Sequence, residues 1–259
     1  MIKNYQQYLS EIISKSIPRI LSLLDKNPIS PTFGSFDRKY WHYKIIDFPC
    51  GMQQELVLPL AYVWKEDFGG NIYYQLPRIN DYLRGIFSYH EKSCHSDGSL
   101  DDYFPHERAY GATAYALSAL TEAALLTGIC PDEAVKSFEK SGTFLARYRE
   151  TGTLSNHLAI AAAALFNIYR LTGNRLWKAQ SDRLIDELSR NQHEEGWFTE
   201  YDGCDIGYQT VTVEFLANIY AEEPSDRILN MLRKNVAFLR NFVHPDGSIG
   251  GGIREQKHL

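Results

Sequence analysis

Ser155-Asn156-His157-Leu158-Ala159-Ile160-Ala161-Ala162-Ala163-Ala164-Leu165-Phe166-Asn167-Ile168-Tyr169 is the stretch on which the fold turns. Its residues are small or apolar on several faces of a helix, and a helix apolar on most faces has to be packed on most faces. The next segment, Asn174 to Arg190, is charged and keeps Leu176, Trp177, Leu184 and Leu188 on one stripe, so it has a solvent side. The same pair recurs on either side. Glu107 to Thr127 is small and apolar, and Pro131 to Arg149 is charged and amphipathic. Gly207 to Tyr220 is apolar, and Pro224 to Phe242 is charged. Convincing strand alternation is absent.

Alternating the two kinds of helix makes an inner layer and an outer layer joined as antiparallel hairpins. The expected fold is all-α, a partial (α/α) toroid with an Ala-rich inner ring and an amphipathic outer ring. Upstream, a first helix is expected over Tyr5 to Leu24, with Tyr5, Tyr8, Leu9, Ile12, Ile13, Ile20 and Leu24 buried and Pro18 kinking or dividing it. A loop from Asn27 to Pro49 follows, then helices over Gly51 to Trp64 and from Pro77 to His90. This gives about nine helices, where a closed ring of six hairpins needs about twelve. Residues 1–249 are therefore expected to form a single incomplete domain, exposing apolar residues around Ile12, Leu21, Ile228 and Phe238.

Glycine-centred polar loops precede the small-residue helices. They are Asp97-Gly98-Ser99-Leu100-Asp101-Asp102-Tyr103-Phe104-Pro105-His106-Glu107-Arg108, then Gly152-Thr153-Leu154-Ser155-Asn156-His157, then Glu195-Gly196-Trp197-Phe198-Thr199-Glu200-Tyr201-Asp202-Gly203-Cys204-Asp205. A fourth begins at Asp246-Gly247-Ser248. A period of about 45 to 55 residues marks a helical array whose loops gather on one face.

The 259 residues suffice for a substantial core, and 44% hydrophobic with 23% charged residues is ordinary for a globular protein. A net charge of −5 without any Lys/Arg run gives no field for nucleic acid. No apolar run reaches membrane-spanning length, and Lys3, Asn4, Gln6 and Gln7 interrupt any secretory core at the start, so a cytoplasmic location is expected. Cys50, Cys94, Cys130 and Cys204 form no Cys-x-x-Cys pair. Cys94-His95 with His90 is an isolated cluster, and neither a metal nor a cofactor is expected. Oligomeric state is not legible.

Two chemistries fit the loops. Glycoside hydrolysis uses two carboxyl groups, and Asp102, Glu107, Glu200 and Asp205 are candidates. Uronate elimination or epimerisation needs a base and donors for the developing charge, for which Tyr201 or His157 and Asn156 with Arg108 are candidates. Glu107, His157, Glu200, Tyr201 and Asp205 are thus the expected catalytic residues. Trp41, His42, Asp102, Tyr103, His106, Arg108, Asn156, Trp197 and Tyr208 are the expected substrate contacts. Each has a structural alternative: Asp97, Asp246 and Ser155 suit turns and caps, and Glu107 suits a helix dipole.

The alternating rings and the Asp-Gly-Ser or Glu-Gly-Trp loops resemble the α/α-toroid superfamily of polysaccharide lyases, unsaturated-glycoside hydrolases, sugar epimerases and terpenoid cyclases. Asp37-Arg38-Lys39-Tyr40-Trp41-His42-Tyr43-Lys44, Asp47-Phe48-Pro49, the Asp97 to Arg108 loop, Asn156-His157, Gly196-Trp197-Phe198, Glu200-Tyr201 and Asp205-Ile206-Gly207-Tyr208 look more narrowly like a bacterial toroid group associated with surface-polysaccharide gene clusters. The resemblance implies a carbohydrate ligand and no particular reaction. It also implies a continuation Gly-Gly-Glu-Tyr-Gly after Ile249; a single inserted nucleotide would turn that continuation into the Gly252 to His258 found here. Residues 250–259 are accordingly expected to be a frameshifted tail on a truncated, inactive form. A non-catalytic glycan-binding or degraded remnant is the alternative. Gln192 with Gly196-Trp197 is similar to terpenoid-cyclase loops, although their Asp-x-Asp-Asp does not occur.

Overall fold

The computed structural model describes residues 5–150 and 152–249, with side chains from residue 8 onward. The tail at 250–259 and the Tyr5 side chain lie outside the described residues. Within them are ten α-helices and only isolated β-bridges. The helices are α1 (Tyr5–Leu23), α2 (Arg38–Trp41), α3 (Val57–Lys65), α4 (Pro77–Ser93), α5 (Tyr110–Thr127), α6 (Asp132–Arg147), α7 (Ser155–Thr172), α8 (Arg175–Asn191), α9 (Ile206–Glu222) and α10 (Asp226–Leu239). The protein is all-α. Its helix ends follow local chemistry. Pro77 opens α4, where its missing N–H costs nothing. Asn174, Asp205 and Ser225 cap α8, α9 and α10 through side-chain oxygens. Gly128 and Gly173 close α5 and α7 in the left-handed conformation, with φ of 70° and 69°.

The chain divides into two compact units, Met1–Arg147 with Arg170–Thr172, and Tyr148–Tyr169 with Gly173–Leu259. In the first, α5 packs on α3 and on the 3-10 turn Gly51–Leu56, and α4 packs on α6. Phe36, Phe87 and Phe138 are fully buried there, Phe87 meeting Phe138 edge-on at 6.2 Å. In the second, α10 packs on α8 and α9. The stretch Ala159 to Ala164 is buried throughout, at 5% exposure or less.

Four expectations need correcting. Pro18 lies inside an undivided α1. Tyr8, Leu9 and Ile12 are exposed, and the buried stripe of α1 instead runs through Ser10, Ile17 and Ile20 to Leu24. The Ser10 hydroxyl meets the Tyr62 hydroxyl at 3.3 Å, which turns that polar position inward. Finally, α9 is not packed on most faces. It buries one stripe of Ile206, Gln209, Thr212, Leu216 and Ile219, whereas α5 and α7 bury most of their residues. Of the apolar residues expected to be exposed, Ile12 is, at 44%, but Ile228 is buried at 3%.

Three of the four glycine loops, those of Gly98, Gly196 and Gly247, share one turn. His95 N–H donates to Ser99 O and Gly98 N–H to His95 O, both at 3.0 Å. The same two bonds join His193 to Trp197 and Gly196 to His193, and His244 to Ser248 and Gly247 to His244. Asp25 and Gly34 make the pair again across a longer insertion, with Asp25 donating to Ser35 O. At Gly98 and Gly196 glycine is required for a second reason besides φ of 90° and 102°. A Cβ on Gly98 would lie 2.5 Å from Lys140 O of α6, and one on Gly196 would lie 2.4 Å from Lys234 O of α10. The glycine carbonyls are then collected by the next residues of those helices, Ser141 Oγ at 2.7 Å and Asn235 Nδ2 at 3.0 Å.

Candidate functional site

The loop before α5 is built around two carboxylates that fold back on it. Asp101, 6% exposed, accepts from the N–H groups of His106 at 2.8 Å and Arg108 at 3.0 Å, and meets His95 Nε2 at 2.8 Å. His106 and Arg108 have φ of 61° and 54°, a left-handed conformation costly for side chains of this size. Their N–H bonds to Asp101 hold that conformation. Burial opposes ionisation of Asp101, but the Arg108 N–H, His95 and the His106 N–H together keep its carboxyl below the usual range. Glu107 Oε2 accepts from the N–H groups of Asp102, Tyr103 and Phe104, so the residue expected to lead a helix instead shapes the loop ahead of α5. Arg108 pairs with Asp97 at 2.9 Å. Tyr103 and Phe104 stand out from the loop, at 76% and 68% exposure.

Asp102 faces a neighbour that sequence reasoning missed. Cys50 Sγ donates to Asp102 Oδ1 at 3.2 Å, and Asp37 Oδ2 accepts from Cys50 N–H at 2.9 Å. Glu55, on the turn that starts at Gly51, shares this patch. Its burial, with the charge of Asp102 added, pushes its carboxyl up to about 7, and burial with Asp102 pushes the Cys50 thiol up to about 12. One readable signal existed: Glu55 is the lone charged residue between Gly51 and Trp64. Trp41 donates its indole N–H to Leu23 O at 2.9 Å, which ties α2 to the end of α1. Exposed His42 lies between the Trp41 and Tyr43 rings, at 5.1 and 4.9 Å.

The second unit brings together Glu150, Asn156, His157, Glu200, Tyr201, Asp205 and Tyr208. Glu200 is not part of an outward cluster: it is 2% exposed, and its Oε1 accepts from Asn156 N–H in the first turn of α7 at 2.7 Å. Burial raises its carboxyl to about 8, against the Asn156 N–H and with the help of Asp205. Glu200 Oε2 and Asn156 Oδ1 are buried without a hydrogen-bond partner. Asp205 is held by its cap to Tyr208 N–H.

His157 lies at the edge of this pair, half-buried, with Nδ1 2.8 Å from Glu150 Oε2. Glu150 also escaped sequence reasoning, because the loop between α6 and α7 makes the contact and no helical spacing announces it. Tyr201 is 55% exposed with φ of 49°, its ring 5.9 Å from that of Tyr208. Burial, the Tyr208 phenol and the carboxylates of Glu200 and Glu150 push the Tyr201 hydroxyl up to about 12, so it remains a proton donor. Trp197 stacks on His193 at 4.3 Å and donates its indole N–H to Glu195.

Glu107 belongs to the first unit and His157, Glu200 and Tyr201 to the second. His90, Cys94 and His95 do not form one cluster. His90 and Cys94 meet Ser141, whereas His95 meets Asp101. Burial, with Lys140 nearby, lowers the His90 imidazole to about 4. Among the described residues no group of three or more His, Cys, Asp or Glu is placed to hold a metal ion, and no helix is long and apolar enough to cross a membrane. No family model, curated protein or solved structure matches the chain.

Proposed function

We propose that the chain is an α/α-toroid module acting on an acidic polysaccharide by uronate elimination or epimerisation, centred on His157 and Tyr201. The observation that carries this reading is the His157–Glu150 contact of 2.8 Å beside the Tyr201–Tyr208 pair. A carboxylate on Nδ1 orients an imidazole and stabilises the imidazolium that forms when Nε2 takes a proton. In elimination, His157 removes the hydrogen on the carbon next to the substrate carboxylate. The electron pair left behind forms the carbon–carbon double bond and expels the glycosidic oxygen, which takes the Tyr201 proton. The raised value of Tyr201 suits that donor role. Two carboxylates considered for hydrolysis are engaged with backbone: Glu107 on three N–H groups, and buried Glu200 on α7. The toroid reading draws on the alternation of fully packed α5 and α7 with one-striped α6, α8 and α10, and on the repeated glycine turn.

Glycoside hydrolysis is the second reading, favoured by Glu55 and Asp102. Burial and the nearby charge of Asp102 hold a proton on Glu55, as an acid partner requires, and exposed Tyr103 and Phe104 follow Asp102 in the loop. One experiment decides. The protein is incubated with the producing organism's own surface polysaccharide, and the products are followed by absorbance and reducing ends. Elimination gives an unsaturated product absorbing near ~235 nm that His157→Ala abolishes. New reducing ends without absorbance, lost in Asp102→Asn, support hydrolysis. Neither product, with tight binding, supports a glycan-binding scaffold.

A further inference from the structure

We propose that the groove between α4 and the 25–36 loop of the first unit is a second binding surface for an acidic glycan chain carrying carboxylates on its sugars; the choice of ligand rests on the glycan reading above. The cavity measures ≈ 780 Å³. Lys26 lines it from the loop and Arg78, Arg84 and Lys92 from α4, against one carboxylate, Asp81. Four cations less one carboxylate leave a local excess of three positive charges on a chain whose net charge is −5. The groove is a local attractor for anions on a molecule that repels them overall. From Arg78 to Lys92 the cationic row runs about 21 Å along the helix, which fits an extended chain better than a small ion.

Its floor depends on two glycines. A Cβ on Gly85 would lie 2.3 Å from the Phe33 ring, and one on Gly34 would lie 2.3 Å from Gly85 O. Their absence lets the loop settle onto α4, with half-buried Phe33 and Tyr82 as aromatic lining between the cations. Aromatic faces suit the apolar faces of sugar rings. Asp81 and Ser88 add acceptors for hydroxyl groups, which a DNA strand's phosphodiester backbone does not offer. Arg84 Nε donates to Asn80 Oδ1 at 2.9 Å, which steadies the guanidinium.

The test titrates fluorescently labelled hexagalacturonate against the full chain carrying His157→Ala, so that no elimination consumes it, and follows anisotropy. Binding is expected to saturate, to weaken with added salt, and to fall by about tenfold or more in the Arg84→Glu/Lys92→Glu double variant. Lys26→Glu, on the opposite wall, should weaken it in the same direction, and maltohexaose should not compete. The substituted side chains are exposed, and circular dichroism checks that each variant folds. Unchanged affinity in both charge-reversal variants overturns the proposal, as does displacement by hexathymidylate that is stronger than by unlabelled hexagalacturonate. Binding in this titration, together with a native chain that yields no unsaturated product, would retire the catalytic reading and leave this surface standing.

Discussion

In the loop before α5, the buried carboxylate of Asp101 holds the N–H groups of His106 and Arg108, two residues of its own loop. In the loop before α9, the buried carboxylate of Glu200 reaches the first turn of α7 instead. Both loops leave the same turn, set by His95 and Gly98 in one and by His193 and Gly196 in the other. The turn is a repeated frame and the residues after it are variable cargo. A carboxylate in the first loop steadies local backbone strain, and one in the second joins two elements at the cost of losing part of its charge. The comparison separates groups that maintain shape from groups able to move protons.

The frame should be the most sensitive part of both loops. Gly98→Ala and Gly196→Ala place a methyl within 2.5 Å of helix carbonyls at a φ that L residues rarely adopt, and each is expected to cost about 4 kcal/mol. Gly152 has φ of 95° but open space around it, so Gly152→Ala should cost only about 1 kcal/mol. Urea unfolding of the three variants checks the order. Equal losses would mean that conformation alone governs these turns and that the close approach to α6 and α10 is incidental.

Next comes the cargo. Asp101→Ala leaves two loop N–H groups and His95 without their shared acceptor, and should cost about 3 kcal/mol. Its counterpart in the second loop is Thr199, whose hydroxyl makes a single long bond of 3.4 Å to Asn191 O. Thr199→Ala should cost under about 1 kcal/mol. A Thr199→Ala loss as large as that of Asp101→Ala would remove the asymmetry between the loops.

The frame and the helices were legible in the sequence, and the cargo's partners were not. The α5 and α7 segments announced themselves because Ala-rich runs have little use except close packing. The α9 segment has the same composition, yet buries one stripe: apolar content records a residue's tolerance of burial, while neighbours decide whether burial occurs. Gly34 escaped notice because the insertion between Asp25 and Gly34 hides the short turn seen at His95. The contacts of Glu150 with His157 and of Asp102 with Cys50 are tertiary, and no sequence period encodes them. The sequence assigned Asp101 no structural role, since the strain it stabilises is visible only in the backbone of His106 and Arg108.

A smaller effect concerns protons. Glu200 has a folded value of about 8 against an ordinary 4.5, so between those values the folded chain keeps a proton that the unfolded chain has lost. Its favourable contribution is therefore complete below about 4.5 and is lost as pH rises through about 8. Allowing for relaxation around the charged form, the loss should be about 2 kcal/mol. Glu200→Gln mimics the neutral form and should flatten the fall in melting temperature over that window. Glu200→Ala removes the acceptor for Asn156 N–H and should lower stability at every pH. A native pH profile retained in Glu200→Gln would assign the titration elsewhere.

The smallest expected effect on stability distinguishes the two loops by use. In the first, His95 is bound to a buried carboxylate; in the second, His193 stacks on Trp197 at 4.3 Å, with an interplanar angle of 16°. Stacks of partly exposed rings contribute about 0.5–1.5 kcal/mol, and Trp197→Ala should fall at the low end because neither ring is deeply buried. The indole bond to Glu195 is exposed and adds little. On the proposed glycan reading, a tryptophan that the fold scarcely needs serves as a platform for a sugar ring. Trp197→Ala should therefore raise KM for an acidic oligosaccharide several-fold and leave kcat nearly unchanged, because it removes binding common to substrate and transition state. His157→Ala should do the reverse, lowering kcat with KM little changed. A Trp197→Ala variant that loses stability by more than about 2 kcal/mol while KM stays constant would return this residue to the frame and leave Tyr201 and Tyr208 as the aromatic contacts of the second loop.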